Sequence, residues 1–278
     1  MTPNINSWKK FAKIVRSKGC FLLKNLENFP NSILVTGCQR SGTTMLSRII
    51  TQSEGMFNYW FGKDDELAAA LILSGYVEHK PQGRYCFQTT YLNECYHEYF
   101  NYINFPVKII WVLRNPYSVV YSMVYNWSRF ALNELFLACG FDLLNERQKK
   151  LYKIFGTFAV NKFLRACYAY VGKTSQIFEI ASRFKEDKLM IIDYDDLVKN
   201  KEVLLPLIYD FINLKYNPKY ANKIHSKSLN KAKKLKNKQR DIIKKICIPV
   251  YERAQKLLSY TNEKNKNLIF NKGKLSYF

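Results

Sequence analysis

An α/β domain of three layers, with a central parallel sheet flanked by helices, is predicted by three features of the sequence. Three short segments, Ser32–Thr36, Lys108–Leu113 and Leu189–Ile192, are apolar at nearly every successive position. Such runs suit strands buried on both faces, as in a parallel sheet covered by helices. Each run stops at a turn or a polar segment and leads into a helical pattern, so strand and helix alternate. The chain has 278 residues, 47% hydrophobic and 15% aromatic, enough for one core that removes roughly 75% of the unfolded surface from water. Its composition lies far from that of disordered chains, despite a large net charge.

The elements follow in order. Residues 1–28 set Trp8, Phe11, Ile14 and Val15 at helical spacing among Lys9, Lys10, Lys13, Arg16 and Lys18. That pattern predicts a short basic amphipathic helix, packed on the domain or lying on a membrane surface. The strand at Ser32–Thr36 ends at Gly37 and an amphipathic helix is expected over Thr43–Thr51. Residues 91–100 read as a further helix. After Lys108–Leu113, Arg114-Asn115-Pro116 breaks the strand and a helix runs from Tyr117 to about Trp127. Residues 128–187 carry almost no strand pattern and are expected to form a helical layer or lid. The third strand leads into Tyr194-Asp195-Asp196-Leu197 and more helix. In the Lys-rich stretch after Lys199, Lys231, Lys233, Lys234, Lys236, Lys238 and Arg240 crowd a short interval that reads as a solvated face. Ligands of open parallel sheets bind beyond the carboxyl ends of the strands, where the three loops that follow these strands must lie. The whole chain, 1–278, is expected to be one domain.

Charge narrows the partners. Forty-four Lys and Arg against 22 Asp and Glu give a formal charge of +22, a field that concentrates anionic molecules. The longest wholly apolar run, Leu67–Leu73, has seven residues, against about 20 for a membrane helix. The first thirty residues lack a signal-peptide core ending in small residues. These features lead to an expected cytoplasmic residence, with peripheral contact at an anionic membrane left open. The seven cysteines include no CxxC pair and no zinc-ligand spacing. They are expected to be reduced, mostly buried thiols, and no metal site is expected.

The segment Gly37-Cys38-Gln39-Arg40-Ser41-Gly42-Thr43-Thr44 sits between strand and helix, where backbone N–H groups and a helix N-terminus cradle phosphate. The fold is therefore P-loop-like. Thr43 stands where a nucleoside triphosphate loop carries lysine, and no acidic residue closes the Lys108–Leu113 strand to hold magnesium. Arg40 instead places a cation in the loop, and Ser41, Thr43 and Thr44 add hydroxyl donors. A phosphate or phosphosulfate held without metal fits this set.

The loop resembles the 5′-phosphosulfate loop of sulfotransferases that use 3′-phosphoadenosine 5′-phosphosulfate (PAPS), in which Arg-Ser-Gly-Thr-Thr follows the first strand. KIIWVLRNPYSVVYS, Lys108–Ser122, is similar to the family's 3′-phosphate element, which implies that Arg114 and Ser122 hold that phosphate. Asp193–Val198 resembles the family's Tyr-Glu-Asp-Leu-Val element, with Tyr194 near the adenosine, and Phe211–Pro218 resembles the stretch that follows it. The motif style is closest to the carbohydrate and tyrosylprotein sulfotransferases. The resemblance implies transfer of a sulfuryl group from PAPS to an acceptor hydroxyl, release of adenosine 3′,5′-bisphosphate (PAP), and no metal. The acceptor it suggests is a carbohydrate, or else a lipid or small molecule; nucleic acid is not an expected partner.

A hydroxyl acceptor needs a base within hydrogen-bond reach. The family's Lys-Glu-x-x-Phe pattern falls on Lys63, Asp64 and Leu67, which favours Asp64, with Asp65 and Glu66 as alternatives and Arg40 stabilising the leaving phosphate. His97 is a further candidate, ahead of His79 and His225. Gln88-Thr89-Thr90 occupies the region where many relatives have Lys-Thr-Pro, so a transition-state lysine is missing from that position. Two other function classes stay open: a P-loop kinase or NTPase, and a basic non-enzymatic binder of nucleic acid or anionic membrane.

Overall fold

A computed structural model describes residues 5–62, 64–225, 229 and 232–259. Lys63 and Lys231, named above, therefore lie outside the described residues, as do the ends of the chain. The described part begins with α1 (Trp8–Lys18), whose last turn carries Arg16 and Lys18 where the helix dipole favours cations. Phe11 is buried, and Trp8 and Val15 pack beside it on the main core. The apolar face of α1 is thus taken up by the domain.

The strands are β1 (Ile33–Gly37), β2 (Cys86–Gln88), β3 (Lys108–Leu113) and β4 (Leu189–Asp193). They form an all-parallel sheet in the order β2-β1-β3-β4, with Ile33 opposite both Cys86 and Lys108, and Ile109 opposite Leu189. Between β1 and β2 run α2 (Thr43–Thr51) and α3 (Asp65–Leu73), the latter almost wholly buried. The chain then crosses to the other side of β1 to make β3. The direction of winding reverses between β1 and β3, where such sheets leave a crevice at their carboxyl ends.

Beyond β3 come α4 (Pro116–Tyr125), α5 (Arg129–Leu135) with a π turn over Phe136–Gly140, α6 (Glu146–Phe155) and α7 (Lys162–Arg183). Their starts are written locally: Pro116 supplies the fixed φ of a first helical residue, and Asn115, Ser128, Asn145 and Asn161 each accept a backbone N–H as N-cap. After β4 follow α8 (Tyr194–Lys199), α9 (Lys201–Phe211), α10 (Asn237–Ile246) and α11 (Ile248–Gln255). The main core lies on the sheet around Leu34, Ile110 and Trp111, and a second cluster joins α4, α5, α7 and α10 through Val119, Phe136, Tyr170 and Ile243.

Three sequence expectations are corrected. Cys20 and Cys95 are joined by a disulfide across 75 residues, so the cysteines are not all thiols. The remaining five are free, four of them buried. Residues 96–102 form a 3-10 helix where a helix over 91–100 was expected. The edge strand β2 was not expected; three residues are too few for a readable pattern.

Candidate active site

The loop from Gly37 to Thr44 turns because two glycines allow it. Gly37 has φ +142, and a Cβ there would meet the Val112 carbonyl oxygen at 2.4 Å. Gly42 has φ +96, and a Cβ would strike the Tyr194 ring at 2.2 Å. Arg40 itself sits at φ 71, a conformation side-chain-bearing residues adopt only where the surroundings fix it. Ser41 is fully buried, and its Oγ has no hydrogen-bond partner among the described residues. A polar atom left unpaired at the mouth of a helix suits an anionic ligand.

The ends of β1 and β3 bring the two arginines together. Arg114 Nη1 donates to the Arg40 carbonyl at 3.0 Å, and Arg40 Nε donates to Ser122 Oγ at 3.1 Å. The Arg114 guanidinium lies 4.2 Å over the Tyr194 ring, 3.7 Å from Asp195, and only 4% of the residue is exposed. Arg40, Ser122, Arg114 and Tyr194, drawn from three separate segments, therefore form one cluster. Burial lowers the pKa of both arginines, and their mutual repulsion adds to it at Arg40. Two crowded guanidiniums beside a helix N-terminus make a strongly anion-seeking site.

A cavity of about 700 Å³ opens beside this cluster. Charged and polar residues line it, among them Arg40, Thr44, Asp64, Asp65, Glu66, Gln88, Asn93, Arg16 and Glu134, together with apolar faces from Trp8, Phe11 and Val15 of α1 and from Trp127, Phe130 and Leu135 around α5. The three acids before and inside α3 have different tasks. Asp64 is the N-cap: Oδ1 accepts from the amides of Glu66 and Leu67 at 3.1 and 3.0 Å, and Oδ2 accepts from Trp8 Nε1 at 2.7 Å. Asp65 is buried against Arg48, with contacts of 2.8 and 3.2 Å. Glu66 faces the loop, accepting from Thr90 Oγ1 and, at 3.4 Å, from Gln88 Nε2. Burial pushes its carboxyl up to about 7, against a pull downward from the Thr90 hydrogen bond. Thr43 is tied to the same group, because its Oγ1 accepts from Gln88 Nε2 at 3.2 Å.

The histidines lie elsewhere. His97 is 3.5 Å from Glu179 and largely exposed, His79 contacts the Tyr85 hydroxyl at 3.2 Å, and His225 is exposed. None of them lines the cavity. Among the described residues, one group has metal-ligand character, Cys20, Cys95 and Glu98. Its sulfurs are bonded to each other, and its carboxylate accepts from the amides of Leu22 and Leu23 at 2.8 and 2.7 Å.

Sequence reasoning missed the residues that brace this site. Lys173 of α7 is buried and donates to the Leu92 carbonyl at 3.2 Å; Gln176 donates to the Asn93 carbonyl at 2.7 Å. Gln39 donates to the Thr90 carbonyl and Asn93 Oδ1 at 3.0 and 2.8 Å. Together they fix the loop that presents Thr90 to Glu66. A signal existed: Lys173 falls on the buried stripe Ala166, Tyr170, Ile177 and Ile180 of α7, where a lone cation needs a reason.

Comparisons with known proteins bear on the family and the fold. A sulfotransferase-domain family model matches residues 30–267. Among solved structures, a sulfotransferase from Alicyclobacillus acidocaldarius is 13% identical with a TM-score of 0.50, over 82% of this chain and 95% of that one. The sulfotransferase domain from the curacin biosynthetic pathway is 17% identical over 84% of this chain and 99% of that one, with a TM-score of 0.48. Mouse sulfotransferase SULT7A1 complexed with PAP is 16% identical over 89% and 92%, with a TM-score of 0.46. No match is found among curated protein sequences. With its family match running from before β1 to beyond α11, the chain belongs to the sulfotransferase family, enzymes that take a sulfuryl group from PAPS and release PAP.

Proposed function

We propose that this PAPS-dependent sulfotransferase uses Glu66 as its base and acts on the hydroxyl of an acceptor with an apolar body. The observation that carries the reading is that Glu66 lines the cavity and is tied through Gln88 to Thr43 of the phosphate loop, while Asp64 and Asp65, which line the same cavity, are committed to a cap and an ion pair. PAPS supplies a sulfuryl group on a phosphate leaving group. In this reading Glu66 takes the acceptor proton as the acceptor oxygen bonds to sulfur, and the bond from sulfur to the phosphate oxygen breaks with its electron pair on phosphate. Arg40, the loop amides of Ser41 and Gly42, and the hydroxyls of Thr43 and Thr44 meet that charge. Arg114 and Ser122 grip the 3′-phosphate, and Tyr194 supports Arg114 from beneath by stacking on it.

The expected carbohydrate acceptor finds partial support. Trp8, Phe11, Trp127 and Phe130 offer it stacking faces, but Val15 and Leu135 suit a hydrocarbon better. A hydroxylated lipid or a glycolipid meets both the apolar faces and the polar groups that line the cavity. The Cys20–Cys95 bond weighs against residence in a reducing cytoplasm, since such bonds persist where thiols are oxidised. Among the described residues no helix is long and apolar enough to cross a membrane.

The test is turnover with PAPS across an acceptor panel of sterols, long-chain alcohols, glycolipids and free oligosaccharides. Glu66→Gln should lower kcat by about a hundredfold or more while leaving PAP affinity within a factor of about three. Normal turnover by Glu66→Gln would falsify the base assignment, and a preference for free oligosaccharides would return the acceptor to a carbohydrate.

A further inference from the structure

We propose that the C-terminal tip of α6 and the turn after it dock on an anionic lipid bilayer. No residue of α6 is buried. At its end Ile154 is 72% exposed and Phe155 57%, and in the turn that follows Phe158 reaches 90%. Gly156, at φ 56, ends α6 there, and Phe155 and Phe158 on either side of it both stand at the surface. Large side chains this exposed and this close in sequence form a patch of the kind that marks an interaction site.

The helix face that carries them is graded. Arg147, Lys150, Leu151 and Ile154, at i, i+3, i+4 and i+7, share one side of α6. The cations come first and the apolar residues last, so the basic collar lies on one side of the greasy tip. From Lys150 to Ile154 the axis rises about 6 Å, comparable with the 5–10 Å that interfacial segments sink below the headgroups. Lys153 flanks the same end. A protein partner of ordinary polarity does not call for this grading, whereas a surface with charge outside and hydrocarbon beneath does. The chain's formal +22 has the sign needed to draw it to anionic headgroups.

The tip is also joined to the cavity. Arg129 at the start of α5 donates to Thr157 Oγ1 at 3.0 Å, and Phe130, Ala131 and Leu135 of that helix line the cavity. Leu137, 46% exposed, lies both on the surface and in the cavity wall. Seating the tip in lipid thus holds an apolar cavity wall near the bilayer. The proposal does not depend on the acceptor reading.

Flotation of the full chain with vesicles of equal parts phosphatidylcholine and phosphatidylglycerol tests the idea. The chain should float with them, and more weakly with phosphatidylcholine alone. Ile154→Gln with Phe155→Gln and Phe158→Gln should lower binding about a hundredfold or more, with PAP-induced stabilisation unchanged. Phe158→Trp should show a blue-shifted emission when these vesicles are added. The proposal fails if the triple variant floats like the parent, because charge alone then suffices. It fails equally if the parent does not float, if the Phe158→Trp emission is unmoved, or if the triple change only converts a dimer to a monomer without vesicles.

Discussion

Glu66 is half protonated near neutrality because burial lifts its carboxyl to about 7. A base works only when ionised, so under the proposed assignment kcat should climb about tenfold per pH unit below that value and level off above it. Removing the Thr90 hydroxyl takes away a donor to the charged carboxylate, and Thr90→Val should move the limb to higher pH. A limb that stays in place in Thr90→Val refutes the assignment of that titration to Glu66. The same shift is linked to folding with the opposite sense. The folded carboxyl holds its proton more tightly than the unfolded one, whose ordinary value is 4.5. Its contribution to stability is complete below about 4.5 and disappears as pH rises through about 7. The difference in melting temperature between the parent and Glu66→Gln should therefore narrow or reverse between pH 5 and pH 8, measured by calorimetry at matched ionic strength.

At the scale of elements, α1 is the wall of the cavity that can be tested by itself. It is held by Phe11 in the core, by Trp8 Nε1 on Asp64, by the Arg16–Glu134 ion pair to α5 and by the disulfide just beyond its end. Closing a 75-residue loop is worth about 4 kcal/mol on the chain-entropy account. Cys20→Ser with Cys95→Ser should therefore lower the melting temperature. It should also raise KM for an apolar acceptor severalfold, with PAP affinity unchanged, because α1 touches the cavity and not Arg114. An unchanged KM means that α1 does not shape the acceptor site. Elements also show where a sequence can be read. The loop before α2 and the end of β3 were legible because each packs its chemistry into a few consecutive residues after an apolar run, and Arg40, Ser122 and Arg114 do meet. The choice among Asp64, Asp65 and Glu66 was not legible, because it depends on where α3 begins. All three line the cavity, and one residue of shift moves an acid from cap to ion pair to the Thr90 hydrogen bond. The disulfide was hidden by the distance between its halves along the chain, and β2 by its length. Lys173 was legible as the one cation on the Ala166, Tyr170, Ile177 and Ile180 stripe of α7, which otherwise reads as plain core.

For the molecule as a whole, the charge of +22 and the Arg40–Arg114 cluster act at different ranges. The distributed charge draws any polyanion and fades with salt, since its reach at physiological ionic strength is about 8 Å. The pair is screened less, because Arg114 is 4% exposed and Arg40 is half-buried. A ligand that relies on the pair should therefore keep most of its effect in salt, whereas one held by the general field should not. PAP at about a hundred times its dissociation constant stabilises the folded chain by about 2.7 kcal/mol, or roughly 5–10 °C in melting temperature for a domain of this size. We expect that shift to survive 300 mM potassium chloride when PAP is raised to hold the same saturation, and to fall by more than half in Arg114→Ala at fixed PAP. ATP with magnesium should give a smaller shift that salt abolishes, since Thr43 stands where the lysine for its terminal phosphates would be. Equal shifts from the two nucleotides, both lost in salt and both indifferent to Arg114→Ala, would mean that the surface field binds nucleotide without the pair.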